Sequence, residues 1–261
     1  MSELMLPQPS GQTGLYGKLS SHGDFVLRRL PQEFVAPWDA WLQQGIAESK
    51  LALGDAWEGS YRDAPVWRFL LAPGTCGESA WAGLLQPSVD RVGRHFPLTV
   101  AAALPSNIDV LETMMTAGSW YSDLERETAA AFGADVQFDA LDRQLEQLLF
   151  PQRFIVRADA SDETLPIAER VFSAFKATIG QPSSSDAIRA TLRGEQVALG
   201  PFDCVWSDMS LPAQAAVLLV TKALPSPARF CAMLDGKWEE RGWELGSLAG
   251  PASRVALRSS D

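Results

Sequence analysis

The chain has 261 residues, a formal net charge of −10 at pH 7, 46% hydrophobic residues and 21% charged ones. That length buries a sizeable core and that composition is ordinary for a globular protein. The acidic balance argues against non-specific nucleic-acid binding, and the longest apolar runs are strand-sized, too short to cross a bilayer. Three cysteines without metal-type spacing predict reduced thiols, and the N-terminus lacks an export-signal pattern, so a cytoplasmic protein is expected.

Residues 1–11, with two prolines, Ser10 and Gly11, read as a flexible arm. A short strand is predicted over 15–19, followed by a turn at Ser20-Ser21-His22-Gly23-Asp24 and renewed apolar character over 25–30. Phe34, Trp38, Trp41, Leu42 and Ile46 recur at helical spacing and predict a helix over 31–51 whose aromatic stripe faces the core. Trp57 and Tyr61 mark a second, short helix, and 66–71 a strand bounded by prolines. Strands over 81–85 and 98–104 flank a polar loop, Pro87-Ser88-Val89-Asp90-Arg91-Val92-Gly93-Arg94-His95-Phe96-Pro97. Asn107 is the expected cap of one long helix running through Leu111, Met114, Leu124 and Phe132.

Further along, Leu141, Leu145, Leu148 and Leu149 predict a helix, 154–156 a strand, Ile167, Val171 and Phe175 a helix, and 181–186 a loop. Late strands at 204–206 and 216–220 precede a short helix at Phe230, Met233 and Leu234, and 246–261 reads as a flexible tail. Interleaved strands and helices argue for an α/β fold with a sheet covered on both faces. Strands clustered as sequential pairs favour a mixed sheet over a parallel one. No internal repeat appears, the best candidate boundary lies near Gly133, and a single domain over 12–245 is the preferred reading.

The chemistry-bearing residues concentrate in two loops: Lys18, His22 and Asp24 in the first, Asp90, Arg91, Arg94 and His95 in the second. Gly14-Leu15-Tyr16-Gly17-Lys18-Leu19 lacks the glycine and the hydroxyl residue that a phosphate-binding loop requires. Its glycines suit a close strand approach instead. His22, Asp24, Asp90 and His95 could in principle form a metal site or the acid–base pair of a hydrolase, but no pair has ligand spacing. Cys76, between Gly74 and Gly77, reads as exposed yet has nothing nearby to activate it. The competing reading is a structural charge network in which Arg94 clamps a carboxylate, Asp90 or Asp24, and holds the loop. No catalytic, cofactor-binding or metal-binding residue is assigned.

Gly17-Lys18-Leu19-Ser20-Ser21-His22-Gly23-Asp24-Phe25, Pro37-Trp38-Asp39-Ala40-Trp41-Leu42, Ala64-Pro65-Val66-Trp67-Arg68-Phe69 and Pro87 to Leu98 together resemble the TagF (ImpM) family of type VI secretion accessory proteins. The likeness is strong over 14–104 and looser beyond, through Val205-Trp206-Ser207 and Leu224-Pro225. It implies a three-layer α/β/α fold, no cofactor and no enzymatic activity. The implied role is post-translational repression in the cytoplasm by binding the apparatus's forkhead-associated-domain scaffold protein, with no nucleic-acid or membrane partner. Some relatives carry a fused phosphatase domain; these 261 residues lack its Asp-rich metal motifs, so a phosphatase is expected to be separate.

Overall fold

The computed structural model describes residues 11–129, 138–157, 175–179, 203–208 and 216–247. The strands are β1 (Thr13–Gly17), β2 (Val26–Arg28), β3 (Trp67–Leu71), β4 (Ala80–Gln86), β5 (Leu98–Leu104), β6 (Phe175–Ile179), β7 (Cys204–Ser207), β8 (Ala216–Thr221) and β9 (Glu244–Ser247). They form one sheet in the order β2-β1-β5-β4-β3-β7-β8-β6-β9. Every neighbouring pair is antiparallel except β6 with β9, so the sheet is mixed. On one face lie α1 (Gln32–Leu53), α2 (Trp57–Asp63) and α6 (Pro227–Asp235). On the other lie α3 (Val110–Thr116), α4 (Gly118–Ala129) and α5 (Phe138–Gln147). The fold is a three-layer α/β/α sandwich.

The period of two along each strand divides these layers. In β3, Trp67, Phe69 and Leu71 enter the α1 layer, while Leu70 enters the α4 layer. Arg68 lies on that second side, where its Nε and Nη2 hold the Glu125 carboxylate on α4 at 2.7 Å each and its guanidinium lies 5.5 Å from the Tyr121 ring. With both faces covered, the central strands carry almost unbroken apolar runs. Alternation survives only in which layer each residue joins.

The α1 layer is built of aromatic rings. Trp38 is fully buried among Phe34, Trp41, Phe69 and Trp206, with ring centroids 4.8–6.0 Å away. Burying an indole strands its N–H unless an acceptor is supplied. Trp38 donates to Thr99 Oγ1 at 2.8 Å, Trp41 to the Pro225 carbonyl at 2.7 Å and Trp81 to the Cys76 carbonyl at 2.9 Å. These bonds tie α1 to β5 and to the segment before α6.

Several local expectations are corrected. The helix after β5 is two helices, α3 and α4, separated at Ala117, and its cap is Asp109, whose carboxylate accepts the Glu112 N–H at 2.9 Å. Asn107 instead accepts from the Arg157 guanidinium at 2.5 Å. Residues 152–154 form a 3₁₀ turn, Gln152–Phe154, rather than the start of a strand; the extended chain after it makes a single bridge, Ile108 to Arg157. Phe175 belongs to a strand, and Gly246 and Ser247 complete β9 rather than opening a tail. Ala131, Phe132, Gly133, Ile167, Val171, the 181–186 loop, residues 1–10 and residues 248–261 lie outside the described residues.

Gly45 sets the distance between α1 and α6. A Cβ there would stand 2.6 Å from the Phe230 ring. Helix propensity favours alanine over glycine by about 1 kcal/mol, but overpacking a tight core costs about 1–3 kcal/mol. Gly45→Ala is therefore expected to destabilise the protein, read as a lower urea midpoint; a raised midpoint would mean that α6 moves aside freely.

Candidate functional site

The two loops meet because of a glycine. Gly17 ends β1 with φ +137°, and a Cβ there would lie 2.1 Å from the Pro97 carbonyl oxygen. Only glycine allows so close an approach between β1 and the start of β5. Lys18 is thereby delivered beneath the 87–97 loop, where its Nζ donates to Asp90 Oδ2 at 2.5 Å. Ser88 Oγ donates to the Lys18 carbonyl at 2.7 Å, and the Tyr61 hydroxyl donates to the Ser88 carbonyl at 3.0 Å while accepting its N–H at 3.1 Å.

Asp90 is the hub. Its Oδ1 accepts the backbone N–H groups of Val92 at 3.0 Å and Arg94 at 2.8 Å, and its Oδ2 accepts Arg94 Nε at 2.7 Å besides Lys18. Gly93, at φ +86°, donates its N–H to the Asp90 carbonyl at 3.0 Å and lets the chain reverse. The loop is also laced to the first one: the Arg91 N–H donates to the His22 carbonyl at 3.0 Å, and Arg94 Nη2 donates to the Gly23 carbonyl. Burial alone would raise the Asp90 pKa. Hydrogen bonds from Lys18, from both the backbone and the guanidinium of Arg94, and from Val92 outweigh it and hold the carboxyl well below the usual carboxylate range.

Burial ranks the two cations. The Lys18 side chain is 6% exposed and that of Asp90 0%, whereas Arg94 is 56% exposed. Lys18 is thus the buried partner, and Arg94 closes the network from the solvent side. Asp24 is fully exposed and only 4.0 Å from Arg94 Nη2, a marginal contact beside the Asp90 bond. Arg91 is exposed.

The imagined four-residue reactive cluster is not assembled. His22 shares a hydrogen bond with Ser21 Oγ at 2.9 Å and sets its ring 4.8 Å from Phe138, in the α5 layer. His95 sits 5.2 Å from Trp57 and 5.3 Å from Tyr61, in the α2 layer. The two imidazoles therefore stand over opposite faces of the sheet. Burial, the largest influence, pushes the His95 pKa down, and its buried Nε2 has no hydrogen-bond partner among the described residues, with Glu58 Oε1 3.7 Å away. No group of three or more His, Cys, Asp or Glu among the described residues could hold a metal ion. Cys76 is corrected as well: it is fully buried, and desolvation pushes its thiol up to about 12. Tyr61 was not foreseen as part of this site, since a buried tyrosine at helical spacing reads simply as core.

Outside the network lies apolar surface. Phe25 stacks on Tyr16 at 5.7 Å and meets Phe96 edge-on at 4.8 Å, yet remains 48% exposed. Leu27, two residues on, is exposed on β2, the edge strand of the sheet, and Val92 at the loop tip is 65% exposed. A rigid ionic clasp thus holds a partly apolar rim toward solvent.

Two measurements test this geometry. Lys18→Met is expected to lower the urea midpoint more than Arg94→Ala, because it removes the desolvated cation and leaves the exposed one; the reverse order would contradict the clasp. For His95 the folded pKa is depressed, so its contribution to stability is complete above the unfolded value of about 6.5 and is lost as pH falls below it. Stability should therefore drop as pH falls below about 6.5, and His95→Phe should flatten that slope, as read from urea melts at a series of pH values.

Residues 14–148 match the TagF N-terminal domain, type VI secretion system-associated. The fold is similar to the crystal structure of PA0076 from Pseudomonas aeruginosa PAO1, with a TM-score of 0.67 and 33% sequence identity over 87% of this chain and 95% of that one. A weaker likeness, 26% identity over 220 residues, connects 80% of this chain to two mycobacterial proteins, the phenolphthiocerol synthesis polyketide synthase type I Pks15/1 of Mycobacterium bovis and its namesake Pks1 of Mycobacterium tuberculosis, which is described as inactive. The chain spans only 12% and 9% of those two proteins. With the family model covering more than half its length, including both loops of the clasp, the chain belongs to the TagF family of type VI secretion system-associated proteins.

Proposed function

We propose that this protein is a non-enzymatic accessory factor that represses assembly or firing of the type VI secretion apparatus after translation, by binding its cytoplasmic forkhead-associated-domain scaffold. Family membership supplies the secretion context. The observation that carries a binding role is the clasp: its ionic groups are engaged with one another and with backbone, and the result is a preformed loop beside exposed Phe25, Leu27 and Val92. Preorganisation of this kind lowers the entropic cost of association, and the exposed apolar side chains supply area that a partner can desolvate. A hydrolytic reading finds no support in the geometry, since His22 and His95 lie over opposite faces of the sheet.

The test joins physiology to binding. Deleting the gene should raise secretion of type VI effectors, and overexpression should silence it; unchanged secretion in both strains would remove the proposal. In vitro, Val92→Asp should keep the wild-type unfolding free energy to within about 0.5 kcal/mol while weakening capture of the purified scaffold at least about tenfold.

A further inference from the structure

Strand β2 stands at one end of the sheet, paired with β1 on one side only. The Thr13 carbonyl turns toward the β2 side, where it accepts Arg29 Nε at 2.8 Å. Backbone groups alternate direction along a strand, so Leu15 and Gly17 also face β2 and Tyr16 faces β5. Leu27, opposite Tyr16, therefore sends its N–H and carbonyl outward. That carbonyl accepts a bond from the neighbouring guanidinium, Arg28 Nη1, at 2.9 Å. By the same alternation Phe25 presents its amide and carbonyl on the outward edge.

Side chains divide with the same period. Phe25 stacks on Tyr16 and Leu27 lies opposite it, so both stand on the α1 side, 48% and 41% exposed. Val26 is buried in the layer of α5, and Arg28 lies over the Phe138 ring there, 4.8 Å from its centroid. Asp24 precedes Val26 by two residues and is fully exposed. Arg29, at φ +56°, turns the chain away and ends the strand.

This edge is complementary to itself. Turned about a two-fold axis at Val26, an antiparallel β2 meets its copy with Phe25 opposite Leu27 and Asp24 opposite Arg28, each pair occurring twice. The backbone parity agrees: Phe25 and Leu27 both face outward, so each such pair exchanges both of its hydrogen bonds. Apolar pairs then fall on the α1 side, beside Tyr16 and Phe96, and ion pairs on the other. An axis at Leu27 would instead set Asp24 against Leu30 and Phe25 against Arg29, matching neither charge nor polarity. Both charges are lightly held in the single chain. Asp24 has the 4.0 Å contact with Arg94, and Arg28 Nε stands 3.4 Å from Asp142 Oδ2, a carboxylate whose other oxygen lies 2.7 Å from Arg29 Nη2. Moving the Arg28 guanidinium onto Asp24 of the second copy frees the Leu27 carbonyl for the Phe25 N–H of that copy.

We propose that the chain self-associates through β2 into a two-fold dimer in which the sheet of one copy continues into that of the other. The contact is short, and the dimer is a weak one, with a Kd on the order of 100 µM. Self-association does not rest on the scaffold assignment, but Phe25 and Leu27 belong to both surfaces, so pairing covers that part of the rim.

The test is sedimentation velocity of the full chain in low-salt buffer from about 5 µM to about 1 mM, a span that brackets this constant. The sedimentation coefficient is expected to rise with concentration along a monomer–dimer isotherm. Asp24→Arg, at a fully exposed position, should weaken dimerisation at least about tenfold, because like charges then face each other twice, and Arg28→Asp should do the same. Mixing the two variants should restore the dimer, since each chain then meets opposite charge at both positions; a merely structural role for either residue would not be rescued by mixing. Should Arg28→Asp fold poorly, Leu27→Lys takes its place as the second weakening variant, with the same expected loss. A chain that stays monomeric throughout the range, a dimer indifferent to Asp24→Arg, or no recovery on mixing the folded variants would overturn the proposal.

Discussion

The structure around the candidate site depends on one ion pair, Lys18 with Asp90, buried at 2.5 Å between residues 72 positions apart. Taking both charges out of water is unfavourable, and their mutual attraction offsets that only when the remaining hydrogen-bonding capacity is also satisfied. Asp90 meets the condition with four donors shared evenly between its two oxygens. Removing any one donor would leave a desolvated carboxylate short of partners, so the loop has one favourable shape. The same arrangement requires Gly17, since a side chain there would collide with the Pro97 carbonyl and hold Lys18 away from its partner.

The double-faced sheet decides what chemistry these residues can do. Because β1 and β5 are covered on both sides, side chains leaving their ends diverge into two separate layers. His22 follows the Phe138 layer and His95 the Trp57 and Tyr61 layer, so imidazoles close along the loops are kept apart by the thickness of the sheet. The polar groups that do converge are a carboxylate held ionised and cations bound to it, a set suited to fixing a backbone rather than to exchanging protons. The clasp leaves Val92 exposed at the loop tip, while Tyr16 and Phe96 pack against the half-exposed Phe25.

Much of the architecture was legible in the chain itself. The helical spacing of Phe34, Trp38, Trp41, Leu42 and Ile46 specifies α1, and the apolar runs over 81–85 and 98–104 specify paired central strands, because hydrophobic period and turn residues are local properties. Where local signals compete, the reading slipped. Asn107 and Asp109 are both good caps, and the choice fell to the one whose carboxylate faces the Glu112 N–H once α3 packs. Phe175 has a helix-compatible spacing with Ile167 and Val171, yet it lies in a strand defined by pairing with β8, where its partner Val220 is 45 residues away in sequence.

The candidate site divides along the same line. By themselves the residues established that Lys18, His22, Asp24, Asp90, Arg91, Arg94 and His95 cluster in two loops, and that Gly17 and Gly93 mark tight backbone, since steric freedom at glycine is intrinsic to the residue. Tertiary structure alone decided that Lys18 is the buried partner of Asp90 while Arg94 stays half in solvent, that Asp24 stands apart, and that the two histidines never meet. Ion pairing and burial depend on distances across strands that no spacing within the chain encodes. They are set only when β1 and β5 come together and the helices cover both faces of the sheet.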